Sequence, residues 1–109
     1  MLSKIKKRAS YGYERVFCKD GFSVSTQGGE YLYSNPRMDL QNLDCYDSLE
    51  LGFPSEVDEL INEFADGEPA IDTVYGYVPK EIVIQLIEKH GGLVDSENRL
   101  LELAKKMRG

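Results

Sequence analysis

Tyr11, Tyr13 and Arg15 alternate along one short stretch, Tyr31, Tyr33 and Arg37 follow in a second, and Tyr46 lies a little beyond. Among the 109 residues, these have the types and spacing best suited to hold another molecule. Tyrosine offers a large apolar ring with a hydroxyl at its tip, and arginine a planar fork matched to carboxylate or phosphate. Such mixtures recur at protein interfaces and around small anionic ligands. The competing reading is that the rings complete a core that a chain this short cannot fill otherwise.

Covalent and metal chemistry have less support. The chain has no GxGxxG, P-loop, HExxH or GxSxG motif. His90, the single histidine, stands just before Gly91-Gly92 at the expected end of a helix. A protonated ring there favours the negative helix terminus, so a cap or an exposed ring is expected ahead of a general base. The two cysteines, Cys18 and Cys45, are too few for a disulfide framework and lack metal-site spacing, which predicts reduced thiols. Cys18 falls in mid-strand with no base nearby in sequence, a poor setting for a nucleophile. Asp39, Asp44, Asp47 and Glu50 resemble a calcium loop only loosely, because Gln41 and Leu43 occupy chelating positions and Asp44 stands where a glycine is required. No catalytic residue, metal or cofactor is assigned, and the reading is non-enzymatic.

The net charge of −6 matters less than its layout. Residues 38–79 contain no lysine or arginine but carry Asp39, Asp44, Asp47 and Glu50 in their first part and further acids beyond. Positive charge gathers at the ends, in Lys4, Lys6, Lys7 and Arg8 and in Lys105, Lys106 and Arg108. This arrangement repels nucleic acid over the middle and suits a basic protein surface, with Asp44, Asp47 and Glu50 as the acidic contact. The start, KIKKRASYGYER, does mix cations with rings, a combination that can hold single strands, but the overall charge opposes it.

The elements that must position these residues are legible in outline. ERVFCKDGFSVSTQ, residues 14–27, reads as a hairpin about Asp20-Gly21 with a two-residue turn, pairing Phe17 with Val24 and Arg15 with Thr26. That register puts Phe17, Phe22 and Val24 inward, with Tyr11, Tyr13 and Arg15 continuing the same face. Residues 30–33 suit a short third strand, and 34–46 form a loop long enough to suggest function. SLELGF, residues 48–53, alternates with Leu49, Leu51 and Phe53 inward. Ser55 as N-cap and Val57, Leu60, Ile61 and Phe64 at helical spacing predict a helix to Gly67, with Glu56, Glu59 and Glu63 on its wet face. VYGYV, residues 74–78, is a strand, and Pro79 opens a helix burying Ile82, Val83, Leu86 and Ile87 up to Gly91-Gly92. A last helix runs from Ser96 to about Arg108.

The expectation is one α+β domain over residues 1–109, with a flexible basic arm at 1–8. A small, mostly antiparallel sheet, the N-terminal hairpin plus two or three further strands, packs against two or three helices. No apolar run approaches the roughly 18 residues of a membrane span, and the basic N-terminus is not followed by the apolar stretch of a signal peptide. These features point to the cytoplasm.

RASYGYERVFCKDGFSVS, then YSNPR, LELGFPS and TVYGYVPKEIV with KHGG, together resemble a group of short proteins encoded by tailed bacteriophages. The resemblance spans Arg8 to Gly92 and leaves out the last helix at 93–109. Members often carry a cysteine where this chain has Ser34 or Asn35, so no thiol role carries over to that loop. The group has no established activity, and no catalytic residues carry over from it. What the resemblance implies is a setting: a phage or prophage product acting inside the bacterial host cell. Small accessory proteins of that kind commonly bind and modulate host or phage proteins, including host defence factors. Two binding readings follow, a protein partner met by the acidic segment and the tyrosine–arginine patch, or a nucleotide-like anionic small molecule held by that patch as by a sponge. A virion or structural component is the third. A domain this small with exposed rings is also compatible with a homodimer.

Overall fold

The computed structural model describes residues 1–9 and 11–94. The expected C-terminal helix lies outside them. Four strands form one antiparallel sheet in the order β1-β2-β3-β4, comprising β1 (Val16–Phe17), β2 (Ser23–Gln27), β3 (Ser48–Gly52) and β4 (Val74–Pro79). The helix α1 (Lys80–Lys89) follows β4 without a loop and packs back on β3 and β4. Short 3-10 segments at Leu2–Lys4, Leu43–Cys45 and Asn62–Phe64 complete the α+β architecture.

The hairpin forms, but its register differs from the expected one. Val16 pairs with Val24 and Phe17 with Ser23. Gly21 N donates to Cys18 O, Cys18 N donates to Phe22 O, and Gly21 takes φ +98°. The turn is therefore a three-residue loop closed by a left-handed glycine, which inserts one residue relative to a two-residue turn. A one-residue slip moves every side chain to the other face. Val16 and Cys18 turn inward beside Phe22 and Val24, while Phe17 is only half-buried. Asp20 favours this turn by accepting from Phe22 N at 2.9 Å, and Lys19 N and Asp20 N tie the hairpin tip to Gly92 O and His90 O at the end of α1.

β3 and β4 match expectation in position and burial. Leu49, Leu51, Tyr75 and Val78 are all at 0% exposure and meet Val83, Leu86 and Ile87 of α1 in one core. Between Leu49↔Val78 and Leu51↔Tyr75 the β4 strand carries an extra residue. This bulge sets Tyr77 at φ +54° and turns its ring outward. Phe53, expected inward, is 52% exposed. It sits just past the strand end at φ +51°, with its carbonyl held by Arg15 Nη2 and its N–H donating to Thr73 O. Pro79 is the N-cap of α1 rather than its first residue. The helix ends as the paired glycines predict, with Gly92 N donating to Ile87 O at 2.9 Å and both glycines at positive φ.

Three other expectations fail. Residues 30–33 form turns rather than a strand, and the expected helix over 55–66 is replaced by turns and the Asn62–Phe64 segment. Asp58 explains the second failure. Its Oδ1 accepts from Leu60 N at 3.0 Å, a local bond that competes with helical pairing, and the side chain is drawn into the interior by α1. The N-terminal arm is not loose. Leu2 is fully buried, Ile5 is nearly so, and Ser3 N donates to Asp44 Oδ2 at 2.9 Å. The apolar residues of the first turn decide this over the flanking lysines.

Candidate functional site

Beyond β2 the chain runs through Gly28 and Gly29, both buried, into the turn carrying Tyr31. Gly28 is pressed against Tyr46: a Cβ there would meet three ring atoms at 2.7–2.9 Å. Only glycine lets the backbone lie on this ring. The Tyr46 hydroxyl accepts from Leu40 N at 2.9 Å and donates to Met38 O at 2.7 Å, fixing the 38–40 loop over the same end of the sheet. Tyr13 stands beside it, donating to Leu40 O. The Gln27 side chain continues the sheet toward Tyr13, accepting from Tyr13 N at 2.7 Å and donating to Tyr13 O at 2.8 Å. Lys7 pairs with Tyr13 as an isolated antiparallel bridge, and Arg8 N donates to Gly12 O.

These pieces enclose a cleft of about 340 Å³. Its inner surface is Tyr13, Tyr46, Gly28 and Gly29, which are buried. Its rim is Lys7, Arg8 and Tyr11 from one segment and Glu30, Tyr31 and Asp39 from others. Tyr11 and Tyr31 are 62% and 79% exposed, so two rings stand over the opening. Burial, together with Tyr46 and the negative groups nearby, pushes the Tyr13 phenol up to about 12. It therefore stays a neutral donor at any ordinary pH. Lys7 Nζ hangs 5.8 Å from the centre of the Tyr13 ring, which keeps one cation at the cleft.

Of the residues singled out by sequence, Tyr11, Tyr13, Tyr31 and Tyr46 come together here, and Arg15, Tyr33 and Arg37 do not. Arg15 is used structurally, donating through Nε to Ser23 Oγ at 3.0 Å and through Nη2 to Ser23 O at 3.2 Å. Tyr33 leans over Gly76 and meets Tyr77 in a tilted ring contact with centroids 5.9 Å apart. Arg37 is exposed on the loop after the cis Asn35-Pro36 bond. The cations of the cleft are Lys7 and Arg8 instead, whose only sequence signal is the interleaving of positive charge with Tyr11 and Tyr13.

The acidic trio is divided too. Asp44 accepts from Ser3 N and lies 3.6 Å from the amino terminus, and its pKa is lowered because those contacts outweigh burial. Glu50 accepts from Tyr33 N. Asp47 is exposed. Cys18 and Cys45 are both free thiols, and burial, aided by Asp20, pushes Cys18 up to about 11, so it is protonated and unreactive at neutral pH.

His90 is the C-cap residue of α1, as its position suggests, but its ring is buried rather than exposed. It is 5% exposed, stacked on Phe22 at 4.0 Å, with Nδ1 at 2.7 Å from Asp20 Oδ2 and Nε2 at 2.7 Å from Asp58 Oδ2. Burial opposes a charged ring, but hydrogen bonds to Asp58 and Asp20 and their charges outweigh it and raise the pKa above the ordinary 6.5. Only the protonated ring can donate to both carboxylates. Each nitrogen is thus engaged, which leaves no lone pair for general-base work. Lys89 Nζ adds a third contact at 3.0 Å from Asp58 Oδ1. The cluster pins the hairpin tip, the 55–66 segment and the end of α1 together.

Among the described residues no group of His, Cys, Asp and Glu side chains is arranged to hold a metal ion, and no helix is long and apolar enough to cross a membrane. Comparison of the chain with protein-family models, with curated proteins and with solved structures finds no match in any of the three.

Proposed function

We propose that this protein binds, without transforming it, a small ligand that joins a flat ring to an anionic group, and that the tyrosine cleft is the site. One observation carries the reading: two exposed rings, Tyr11 and Tyr31, stand with Lys7 and Arg8 around a cavity of about 340 Å³ whose base is glycine backbone and buried tyrosine. That volume is at the small end of the roughly 300–1,000 Å³ typical of small-molecule sites, enough for a mononucleotide-sized ligand. Rings that already face solvent supply stacking surface, and cations at the rim supply the anion contact. In the setting implied by the phage-like words of the sequence, such a protein would act in the bacterial cytoplasm by sequestering a nucleotide-like molecule.

A protein partner is the second reading, favoured by the Tyr33–Tyr77 pair. Both rings are nearly half exposed, and Tyr33 lies beside Glu50, which belongs to the segment 38–79 without positive side chains. That combination suits a basic surface on a host or phage protein. Asp44 is too committed to the N-terminus to serve it, which leaves Asp47 and Glu50 as the acids at hand.

Native mass spectrometry of the protein mixed with the four common nucleoside monophosphates tests the first reading. A one-to-one adduct of a few hundred daltons is expected. The double variant Tyr11→Ala, Tyr31→Ala should lose it, because each stacked ring contributes about 1–3 kcal/mol, at least fivefold in affinity. No adduct, or one that survives both substitutions, would rule the cleft out as the site.

A further inference from the structure

The polar groups of the cleft come in both signs, and that narrows the ligand further. Lys7 and Arg8 answer an anionic group, but Glu30 and Asp39 line the same cavity. A ligand with only negative charge and a plain ring would meet two acids. A ligand with a pair of hydrogen-bond donors at one end and an anion at the other would match both sets.

Asp39 is placed for the donor end. Its Oδ1 accepts from Glu30 N at 3.4 Å and would lie 2.8 Å from a Cβ at Gly29, so the carboxyl group rests on backbone that only glycine makes available. A carboxylate has about four lone-pair sites, and this bond uses one. Lys7 lies over the Tyr13 ring on another segment, which is bridged to Tyr13. Cation and acid are thus fixed by different segments of chain.

Among the common bases, guanine alone offers two adjacent donors, the ring N1–H and the exocyclic amino group, to a carboxylate. Adenine and cytosine put a ring acceptor beside the amino group, and uracil flanks its single N–H with carbonyls. Both arrangements set an acceptor against the acid. Resting on the reading that the cleft takes a ring-bearing anion, we infer that it selects a guanine nucleotide, with the base edge on Asp39, the ring against Tyr11 and Tyr31, and the phosphate on Lys7 and Arg8.

Isothermal titration of the intact protein with GMP, AMP, IMP and guanosine decides the matter. GMP should bind at least tenfold tighter than AMP. IMP, which lacks the amino group, should fall between them, and guanosine, which lacks the phosphate, should be at least fivefold weaker than GMP. In Asp39→Asn the side-chain oxygen that accepts from Glu30 N is kept, so the fold should hold, as an unchanged melting temperature would verify. This variant should lower GMP affinity at least fivefold while AMP, whose ring acceptor no longer faces a carboxylate, binds no more weakly than before, so that the preference for GMP is lost. Equal binding of GMP and AMP by the unaltered protein, or undiminished GMP binding by Asp39→Asn, overturns the choice of guanine and leaves the ring-binding reading standing. If none of the four binds, both readings fall.

Discussion

Replacing His90 by alanine is expected to destabilise the protein by about 3–5 kcal/mol, the usual loss when one partner of a buried ionic cluster is removed. Asp58 is the reason. At 5% exposure it would keep Lys89 and Leu60 N but lose the imidazolium at 2.7 Å, and its second oxygen would be buried without its donor. For a chain of this size that is a large part of a total stability of about 5–15 kcal/mol. Urea unfolding at pH 6 measures it, and a loss under about 1 kcal/mol would contradict the assignment, being no more than an exposed ion pair contributes.

The pH profile should carry the same signature. Because the His90 pKa is raised above 6.5, its contribution is complete below that pH and fades as pH rises through the higher folded value. Asp20 is held below the ordinary 3.8 mainly by the Phe22 N–H and by His90, and Asp58 is also held below it because its hydrogen bonds and Lys89 outweigh burial. Their contribution is present above pH 3.8 and is lost as pH falls through the lower folded values. The unaltered protein should thus be most stable between these limits. His90→Ala should flatten the decline on the alkaline side.

Gly28→Ala is expected to cost about 1–3 kcal/mol, the range for an atom forced into filled space. The new methyl would have to displace the Tyr46 ring, which is 1% exposed and tied by its hydroxyl to Leu40 and Met38. Rotation of the ring about its long axis leaves Cζ, the nearest atom at 2.7 Å, in place, so the 38–40 loop should shift and nucleotide affinity should fall with stability. Gly52→Ala is the control, since its Cβ would meet only Val74 Cγ1 at an ordinary 3.5 Å. Denaturant midpoints that are equal for the two variants would show that the Gly28–Tyr46 contact is not a tight one.

The parts of the fold that could be read from sequence are those in which local pattern and final burial agree. Leu49 and Leu51 alternate into the core, and Val83, Leu86 and Ile87 share one side of α1 up to a glycine stop. The hairpin was legible as a hairpin but not in register, because Asp-Gly serves a two-residue turn and a three-residue loop equally well. What selects the longer loop is distant: Lys19 N and Asp20 N bond to carbonyls at the end of α1, seventy residues along the chain. The missing helix at 55–66 has a similar cause. Its periodicity is real, but a segment this short is marginal as a helix, and Asp58 finds stronger partners in His90 and Lys89. The site shows the same division. Four of its tyrosines stood out by type, whereas their separation from Arg15, Tyr33 and Arg37 depends on the interruption of the strand at 14–15 and on the turns at 30–33.

The most direct test of the cleft is amide chemical-shift mapping during titration with GMP. Shifts should concentrate at Lys7, Arg8, Tyr13, Gly28, Gly29, Glu30, Tyr31 and Asp39 and saturate together, with His90 and α1 unmoved. Shifts centred on Tyr33, Glu50 and Tyr77 instead, or none at millimolar GMP, would contradict the cleft as the site.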